Sequence, residues 1–184
     1  MSKSVLVPIA DGSEDIEAVT LIDVLRRAQA QLIVASVKED DLAVTAARGT
    51  RIIADTLINK CAAQNFDLIA LPGGLPGADI MSECEILIAM LKQQKARGGN
   101  YAAICASPAR VLEVHGLLAG KRATCYPSMA GELVEGKYVA APVVVDANCI
   151  TSQGPGTAML FALQLVEILF GKNLRQTIAK QLLV

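Results

Sequence analysis

Aromatic side chains are scarce in this sequence. Its 184 residues include three tyrosines, three phenylalanines and no tryptophan. The charges nearly cancel, since 17 Lys and Arg residues face 18 Asp and Glu residues, and no stretch concentrates the basic ones. Proteins that bind nucleic acids combine basic patches with aromatic platforms on which bases stack. We therefore expect no nucleic-acid partner.

Histidine and paired cysteines are also lacking. The chain has one histidine, His115, and its five cysteines never occur with the C-x-x-C spacing. Because zinc sites are built from closely spaced Cys and His ligands, we expect no metal. An odd number of scattered cysteines is typical of reduced thiols in a cytosolic protein and not of a disulfide framework.

Long hydrophobic runs are absent as well. The most apolar stretch, residues 158–170, is shorter than the about 20 residues needed to span a bilayer, and it contains Gln164 and Glu167. The N-terminus enters a short strand without the long apolar core of a signal peptide. We therefore expect a cytoplasmic protein with no membrane partner.

Strand and helix patterns alternate along the whole chain. Short apolar runs predict strands at 5–9, 32–37, 68–71, 101–104, 143–145 and 149–151, with shorter ones near residues 44, 52 and 123. Helical patterns cover 13–27, 83–97, 157–170 and 174–184, with a further helix starting near residue 108 and a short one near residue 62. Repeated β-α units indicate a parallel sheet covered on both faces. We predict one doubly wound α/β domain over residues 1–184.

The first helix has a recognisable start. Ser13 precedes the acidic residues Glu14, Asp15 and Glu17, which is typical of a helix N-cap followed by a first turn that the helix dipole favours. At the other end of this helix, Arg26 and Arg27 fit the negative C-terminal pole. We expect the helix to begin at Ser13.

Ligands of open parallel sheets bind at the carboxyl ends of the strands. Three predicted strands end in turn-forming segments, at 11–13, 72–74 and 105–108, and only the last carries a strong nucleophile, Cys105. Small residues around it allow a sharp turn, and Pro108 suits the first turn of a helix. Amides at that helix start would favour the thiolate and, with Gly74, could hold an oxyanion.

An ordinary packing role for Cys105 is the alternative, as for most free cysteines. We assign that role to the other four, which lie within strand and helix patterns: Cys61, Cys84, Cys125 and Cys149. Cysteine nucleophiles commonly work with histidine. At 1.5 Å rise per residue, however, His115 would lie about 15 Å from Cys105 along the same helix, which is beyond contact.

A group other than His115 must therefore accept and donate the proton in a reaction at Cys105. Glu17 is our candidate, because its helix starts at a neighbouring strand end. A carboxyl held against a thiol resists ionising together with it, since like charges disfavour each other. The alternative for Glu14, Asp15 and Glu17 is surface charge that the helix dipole favours.

Four segments together resemble one known family. The runs 12–17 (GSEDIE), 71–74 (LPGG), 103–108 (AICASP) and 151–157 (TSQGPGT) are similar to those of the ThiJ/PfpI family, in the branch of bacterial YajL and the human parkinsonism-associated protein deglycase. The resemblance covers essentially the whole chain. It implies a flavodoxin-like three-layer sandwich of the class I glutamine amidotransferase type, with a mostly parallel sheet, a homodimer and no cofactor.

The resemblance also implies roles for particular residues. Cys105 would be the oxidation-sensitive nucleophile and Glu17 its protonated partner. The other implied positions are the oxyanion and pocket residues Gly73, Gly74 and Ala106, the arginines near the pocket and dimer interface Arg27 and Arg48, and Pro155, which a partner subunit would contribute to the pocket rim. Tyr126 stands where the human relative has a histidine.

The resemblance implies a stress-protective enzyme acting on reactive dicarbonyls. The expected reactions are a glyoxalase III-type conversion of methylglyoxal to lactate and the deglycation of proteins. The alternative is a redox-sensing or chaperone-like protein in which Cys105 is oxidised to sulfinate. Ala106 replaces the histidine that follows the nucleophile in the protease branch, which argues against proteolysis.

Overall fold

A mixed seven-stranded sheet forms the centre of the computed structural model, which describes residues 2–184. Its strands are β1 (Ser4–Ile9), β2 (Gln31–Ser36), β5 (Thr56–Leu57), β6 (Leu68–Leu71), β7 (Asn100–Ile104), β10 (Val143–Asp146) and β11 (Cys149–Ser152). They lie in the order β10-β11-β7-β6-β1-β2-β5. Every neighbouring pair is parallel except β10 and β11, so the predicted mostly parallel sheet is confirmed.

Two smaller pairs of strands lie outside this sheet. β3 (Ala43–Thr45) and β4 (Arg51–Ile53) form an antiparallel hairpin, and β8 (Arg122–Ala123) pairs in parallel with β9 (Lys137–Tyr138). The hairpin confirms the short strands predicted near residues 44 and 52.

Helices cover the sheet. The α-helices are α1 (Asp15–Arg27), α2 (Gly77–Glu83), α3 (Glu85–Ala96), α4 (Ala158–Phe170) and α5 (Lys172–Gln181). A π-helix occupies Pro108–Glu113, and short 3₁₀ turns occupy Ile58–Cys61, Pro127–Glu132 and Pro155–Thr157. No helix within residues 2–184 is both long and apolar enough to cross a membrane.

The helix predicted over 83–97 is partly wrong. It begins at Glu85, and the shorter α2 precedes it. Cys84 separates the two because its backbone is extended, with φ −76° and ψ 95°. The predicted start of α1 is wrong as well. The Ser13 hydroxyl accepts a hydrogen bond from the Ala10 N–H at 3.0 Å within the turn after β1, and Glu14 occupies the N-cap position.

Alternating side chains of the central strands enter two separate cores. Leu6, Ile69 and Tyr101 pack into one hydrophobic cluster, on the side of α2 and α3. Their neighbours Val5 and Leu68 pack into the other, together with α1 and α4. Because each face of the sheet is buried, its strands are near-continuous apolar runs. The predicted three-layer sandwich is therefore confirmed.

Candidate active site

Three adjacent strands bring the candidate residues together. β1, β6 and β7 are neighbours in the sheet and run parallel, so their carboxyl ends meet at one edge. β2 lies on one side of β1 and β6 on the other, so the order of the strands reverses at β1. Ligands of open α/β sheets bind at such a switch point. The segments that follow these strands carry Glu17, Gly74 and Cys105.

Cys105 occupies the sharp turn that the small residues around it predict. Its φ of +65° lies in the left-handed region, which costs a non-glycine residue about 1–2 kcal/mol. Its N–H donates to the Ser152 carbonyl at 3.0 Å, and its own carbonyl accepts the Tyr126 N–H at 2.8 Å. The Ser107 hydroxyl donates to the Pro72 carbonyl at 2.5 Å. These bonds from neighbouring segments hold the strained turn in place.

Glu17 is fully buried beside this turn. Its Oε2 accepts the Gly73 N–H at 2.7 Å, whereas its Oε1 has no hydrogen-bond partner within residues 2–184 by the usual geometric criteria. Burial raises the pKa of this carboxyl to about 7, and the charge of Glu14 acts in the same direction. Hydrogen bonds from Gly73 and Cys105 favour the ionised form and limit the rise. The carboxyl can therefore hold or release a proton near neutral pH.

The thiol of Cys105 is coupled to this carboxyl. Burial and then the negative charge of Glu17 raise the pKa of the thiol to about 12, while the amides of Gly74 and Ala106 favour the thiolate. The expected preference of these amides for the thiolate is therefore confirmed, but burial and the charge of Glu17 oppose it more strongly. When Glu17 is protonated its charge disappears and the two amides favour the thiolate. At neutral pH the thiol holds its proton and the Glu17 carboxyl is partly ionised, so the carboxylate can take the thiol proton and leave a thiolate beside a protonated Glu17.

A cavity of about 400 Å³ opens in front of the sulfur. It is lined by Glu14, Ala47, Arg48, Gly74, Leu75, Cys105, Ala106, Tyr126, Ser128, Met129 and Pro155. The structure therefore places Arg48, Tyr126, Gly74 and Ala106 where the sequence predicts. Pro155 also lines the cavity of its own chain, and the contribution of this residue by a partner subunit stays a prediction.

Two predicted pocket residues have other roles. Arg27 is exposed at the C-terminal end of α1 and pairs with Asp23 at 2.7 Å, so it does not line the cavity. Gly73 donates its N–H to Glu17, which leaves that amide unavailable to an oxyanion. A Cβ at Gly73 would also lie 2.6 Å from the Cβ of Cys105 and 2.9 Å from Oε2 of Glu17. Glycine is required there by the close approach of Cys105 and Glu17.

Glu14 is the charged cavity residue that the sequence interpretation missed; four uncharged ones were also not predicted: Ala47, Leu75, Ser128 and Met129. The sequence offers surface charge as the alternative role of the first-turn acids, but Glu14 is 8% exposed and lines the cavity. Its position directly after the turn that follows β1 was the available signal. Its N–H donates to the Gly73 carbonyl at 2.9 Å, which draws the residue inward.

The lone histidine and the remaining cysteines lie away from the pair. Nε2 of His115 is 3.0 Å from both the hydroxyl and the carbonyl oxygen of Ser82, and His115 does not line the cavity. The other four cysteines are also outside it: Cys61, Cys125 and Cys149 are buried, and Cys84 is partly exposed. Across residues 2–184, no three or more His, Cys, Asp or Glu side chains are grouped to hold a metal ion.

Comparison with known families agrees with this geometry. The model of the DJ-1/PfpI family matches residues 3–168, which is most of the chain. The chain belongs to the DJ-1/PfpI family. This confirms the family resemblance seen in the four sequence segments and places Cys105 and Glu17 in a DJ-1-like protein.

Relatives from several organisms support the DJ-1 branch. DJ-1 homolog B of Arabidopsis thaliana is 47% identical over 98% of this chain, and dj-1beta of Drosophila melanogaster is 46% identical over 100% of this chain and 98% of its own length. This chain spans 41% and 46% of the length of the two Arabidopsis DJ-1 homologs. A Caenorhabditis elegans relative named glutathione-independent glyoxalase DJR-1.2 is 38% identical over 98% of this chain and 95% of its own length.

Solved DJ-1 structures have the same fold. Oxidised DJ-1 of Toxoplasma gondii superposes with a TM-score of 0.96 at 47% identity, covering 99% of this chain and 98% of that one. The α/β sandwich predicted from the DJ-1/PfpI resemblance is thereby confirmed.

Proposed function

We propose that this protein is a glyoxalase III-type enzyme that converts methylglyoxal to lactate without a cofactor. One observation carries the proposal. The carboxyl of Glu17 is fully buried and lies against Cys105, the only cysteine of the described chain that lines the cavity. The pKa of this carboxyl is raised to about 7. This reaction needs a nucleophile and, beside it, a group that can give and take a proton near neutral pH.

The first step forms a carbon–sulfur bond. The Cys105 thiolate adds to the aldehyde carbon of methylglyoxal, and the aldehyde oxygen becomes an alkoxide beside the amides of Gly74 and Ala106. Protonated Glu17 transfers its proton to that oxygen, which completes a hemithioacetal. The carboxylate left behind is then a base, buried at the reacting centre.

The second step moves a hydrogen between two carbons of the substrate. Glu17 removes the proton from the former aldehyde carbon, an enediol forms, and the neighbouring carbon receives a proton. The product is a lactoyl thioester on Cys105. Water then breaks the carbon–sulfur bond and releases lactate. The aldehyde carbon is oxidised while the ketone carbon is reduced, so the reaction balances without an external oxidant or reductant.

Two further observations support this substrate class. A cavity of about 400 Å³ is at the small end of ligand sites, which suits a three-carbon dicarbonyl. The C. elegans relative bears the name glutathione-independent glyoxalase. The same thiol addition applies to carbonyl adducts on protein side chains, and we extend the proposal to deglycation on that basis.

The test is lactate formation from methylglyoxal in the absence of glutathione. We expect the wild-type protein to form lactate, Cys105→Ser to form none, and Glu17→Asp to be at least about tenfold slower because its carboxyl is one methylene too short. Circular dichroism and a cooperative unfolding transition of Glu17→Asp control for folding. Equal rates for wild type and Glu17→Asp would contradict the assigned proton transfer.

A redox sensor is the second candidate. Cys105 is partly exposed, and Oε1 of Glu17 has no hydrogen-bond partner among residues 2–184, so a protonated Glu17 could donate to a sulfinate oxygen. The thiolate would attack hydrogen peroxide to give a sulfenic acid and hydroxide, and a second peroxide would give the sulfinate. Mass spectrometry after peroxide treatment should show two added oxygen atoms on Cys105. Absence of lactate together with this modification would favour the sensor.

A further inference from the structure

The cavity contains a second buried carboxyl that the proposed mechanism does not use. Glu14 is 8% exposed, and its side chain lines the cavity together with Cys105. Its backbone is held at both ends: its N–H donates to the Gly73 carbonyl at 2.9 Å, and its carbonyl accepts the Ala18 N–H at 3.0 Å. The position of this carboxyl is therefore set by the same segments that position the catalytic pair.

The nearby loop amides donate to other acceptors and not to the Glu14 carboxylate. The amides of Arg48 and Thr50 donate to Asp15, at 2.8 and 3.2 Å, and the amide of Ala47 donates to the Ser13 carbonyl at 2.8 Å. Within residues 2–184 the Glu14 carboxylate has neither an ion-pair partner nor a hydrogen-bond donor. Its negative charge consequently acts on whatever enters the cavity.

One cation also lines the cavity. Arg48 is exposed on the loop between β3 and β4, whereas Glu14 is nearly enclosed. Water and salt screen an exposed charge far more than a buried one. The charge of Glu14 is therefore screened less inside the cavity than the charge of Arg48. The charge of Glu14 also contributes to the raised pKa of the neighbouring Glu17.

We propose that Glu14 is a charge filter that excludes anionic carbonyl compounds from Cys105 and leaves the cavity to uncharged or cationic α-oxoaldehydes. The substrate class in this statement rests on the proposed glyoxalase function. The exclusion of anions does not, because it concerns the approach of any electrophile to the thiol.

Two alkylating reagents of similar size test the filter directly. Iodoacetate is an anion and iodoacetamide is neutral, and each forms a carbon–sulfur bond with loss of iodide. The ratio of their rates at Cys105 is measured by mass spectrometry of the Cys105 peptide, so the other cysteines do not interfere. Because both reagents use the same thiolate, the ratio cancels any change in the pKa of the thiol.

We expect Glu14→Gln to raise the iodoacetate-to-iodoacetamide ratio by roughly three- to tenfold, as removal of one nearby charge predicts. Glu39→Gln is the matched control, since Glu39 is exposed outside this cavity and loses the same charge. An equal ratio in wild type and Glu14→Gln, or an equal rise in both variants, would overturn the filter. Should Glu14→Gln fail to fold, the wild-type ratio must still be below that of N-acetylcysteine; a ratio at or above it overturns the proposal.

The lactate assay distinguishes a failure of the charge filter from a failure of the proposed glyoxalase function. Absence of lactate combined with a raised ratio in Glu14→Gln would reject the glyoxalase and keep the filter. Lactate formation with an unchanged ratio would reject the filter alone. In a protein that forms lactate, glyoxylate, an anionic aldehyde, should compete with methylglyoxal more strongly in Glu14→Gln than in wild type.

Discussion

The buried carboxyl of Glu17 lowers the stability of the protein at neutral and alkaline pH, and this loss can be measured by changing one residue. Its carboxyl is fully buried, and burial raises its pKa from the ordinary 4.5 to about 7. The folded protein therefore binds this proton more tightly than the unfolded chain does. The stability that the protonated carboxyl contributes is complete below pH 4.5 and is lost as the pH rises through 7. By linkage the loss is about 3 kcal/mol.

We accordingly predict that Glu17→Gln is the more stable protein at pH 8, by up to about 3 kcal/mol, and that the two proteins converge near pH 4.5. Glutamine keeps the shape of the side chain and an oxygen that can accept the Gly73 N–H. Free energies of unfolding from urea titrations across this range provide the measurement. Parallel curves for the two proteins would contradict the raised pKa, and Glu39→Gln should follow wild type throughout.

Single residues of the site were predictable to different degrees. Cys105 and Glu17 could be found because each follows a strand end and because the family resemblance assigns the pair to these two positions. Glu14 could not be separated from Asp15, since both are acidic residues in the same short segment. What distinguishes them is tertiary: the Gly73 carbonyl holds Glu14 inward, while loop amides bind Asp15 at the surface.

Among the segments, the glycine pair after β6 leaves no room for a side chain. A Cβ at Gly73 would lie 2.7 Å from the Ile104 carbonyl oxygen and nearer still to the Cβ of Cys105. Since these are backbone and turn atoms that cannot move freely, we predict that Gly73→Ala destabilises the protein by about 2–4 kcal/mol and abolishes lactate formation. Chemical denaturation measures the first effect and the lactate assay the second.

Gly156 provides the control for this substitution. It is beside the cavity residue Pro155, and a Cβ there would meet no atom within 4 Å. Gly156→Ala should therefore change the free energy of unfolding by less than about 0.5 kcal/mol. Similar losses in both variants would show that the close approach at Gly73 is not the cause.

Helices and strands were predicted well where a single hydrophobic pattern extends over the whole element. The apolar runs of β1, β6 and β7 are buried on both faces, so their sequences report their positions directly. The region 77–96 was harder, because Cys84 adopts an extended conformation between two helices without a proline or glycine to mark the break. The segment after Pro108 was predicted as a helix, but its π-helical winding depends on packing that the sequence pattern does not show.

On the scale of the whole molecule, one apolar face remains open in the single chain. Val19 of α1 and Ile53 of β4 line a shared shallow groove and are 49% and 65% exposed. Ile16 and Leu160, on the packed helices α1 and α4, are also exposed. The family resemblance implies a homodimer, and we propose this face as its interface because exposed apolar patches mark association sites.

Sedimentation tests this assembly. We predict a dimer for wild type at micromolar concentration, and at least about tenfold weaker association for Val19→Glu or Ile53→Glu, since each would place a charge in the contact. Val134→Glu should remain dimeric, because Val134 is 84% exposed and lies outside this groove. A monomeric wild type would refute the homodimer, and a dimer unaffected by either substitution would refute the interface.

The left-handed backbone at Cys105 has a consequence for laboratory evolution. A glycine there would relieve the unfavourable φ of +65°, just as glutamine would relieve the buried carboxyl at position 17. We expect both replacements to increase heat resistance, while one removes the thiol and the other removes the titratable carboxyl. Variant libraries screened for thermal survival alone should therefore first enrich inactive clones that are substituted at these two positions. Clones that are also screened for activity must gain their stability from substitutions elsewhere in the sequence.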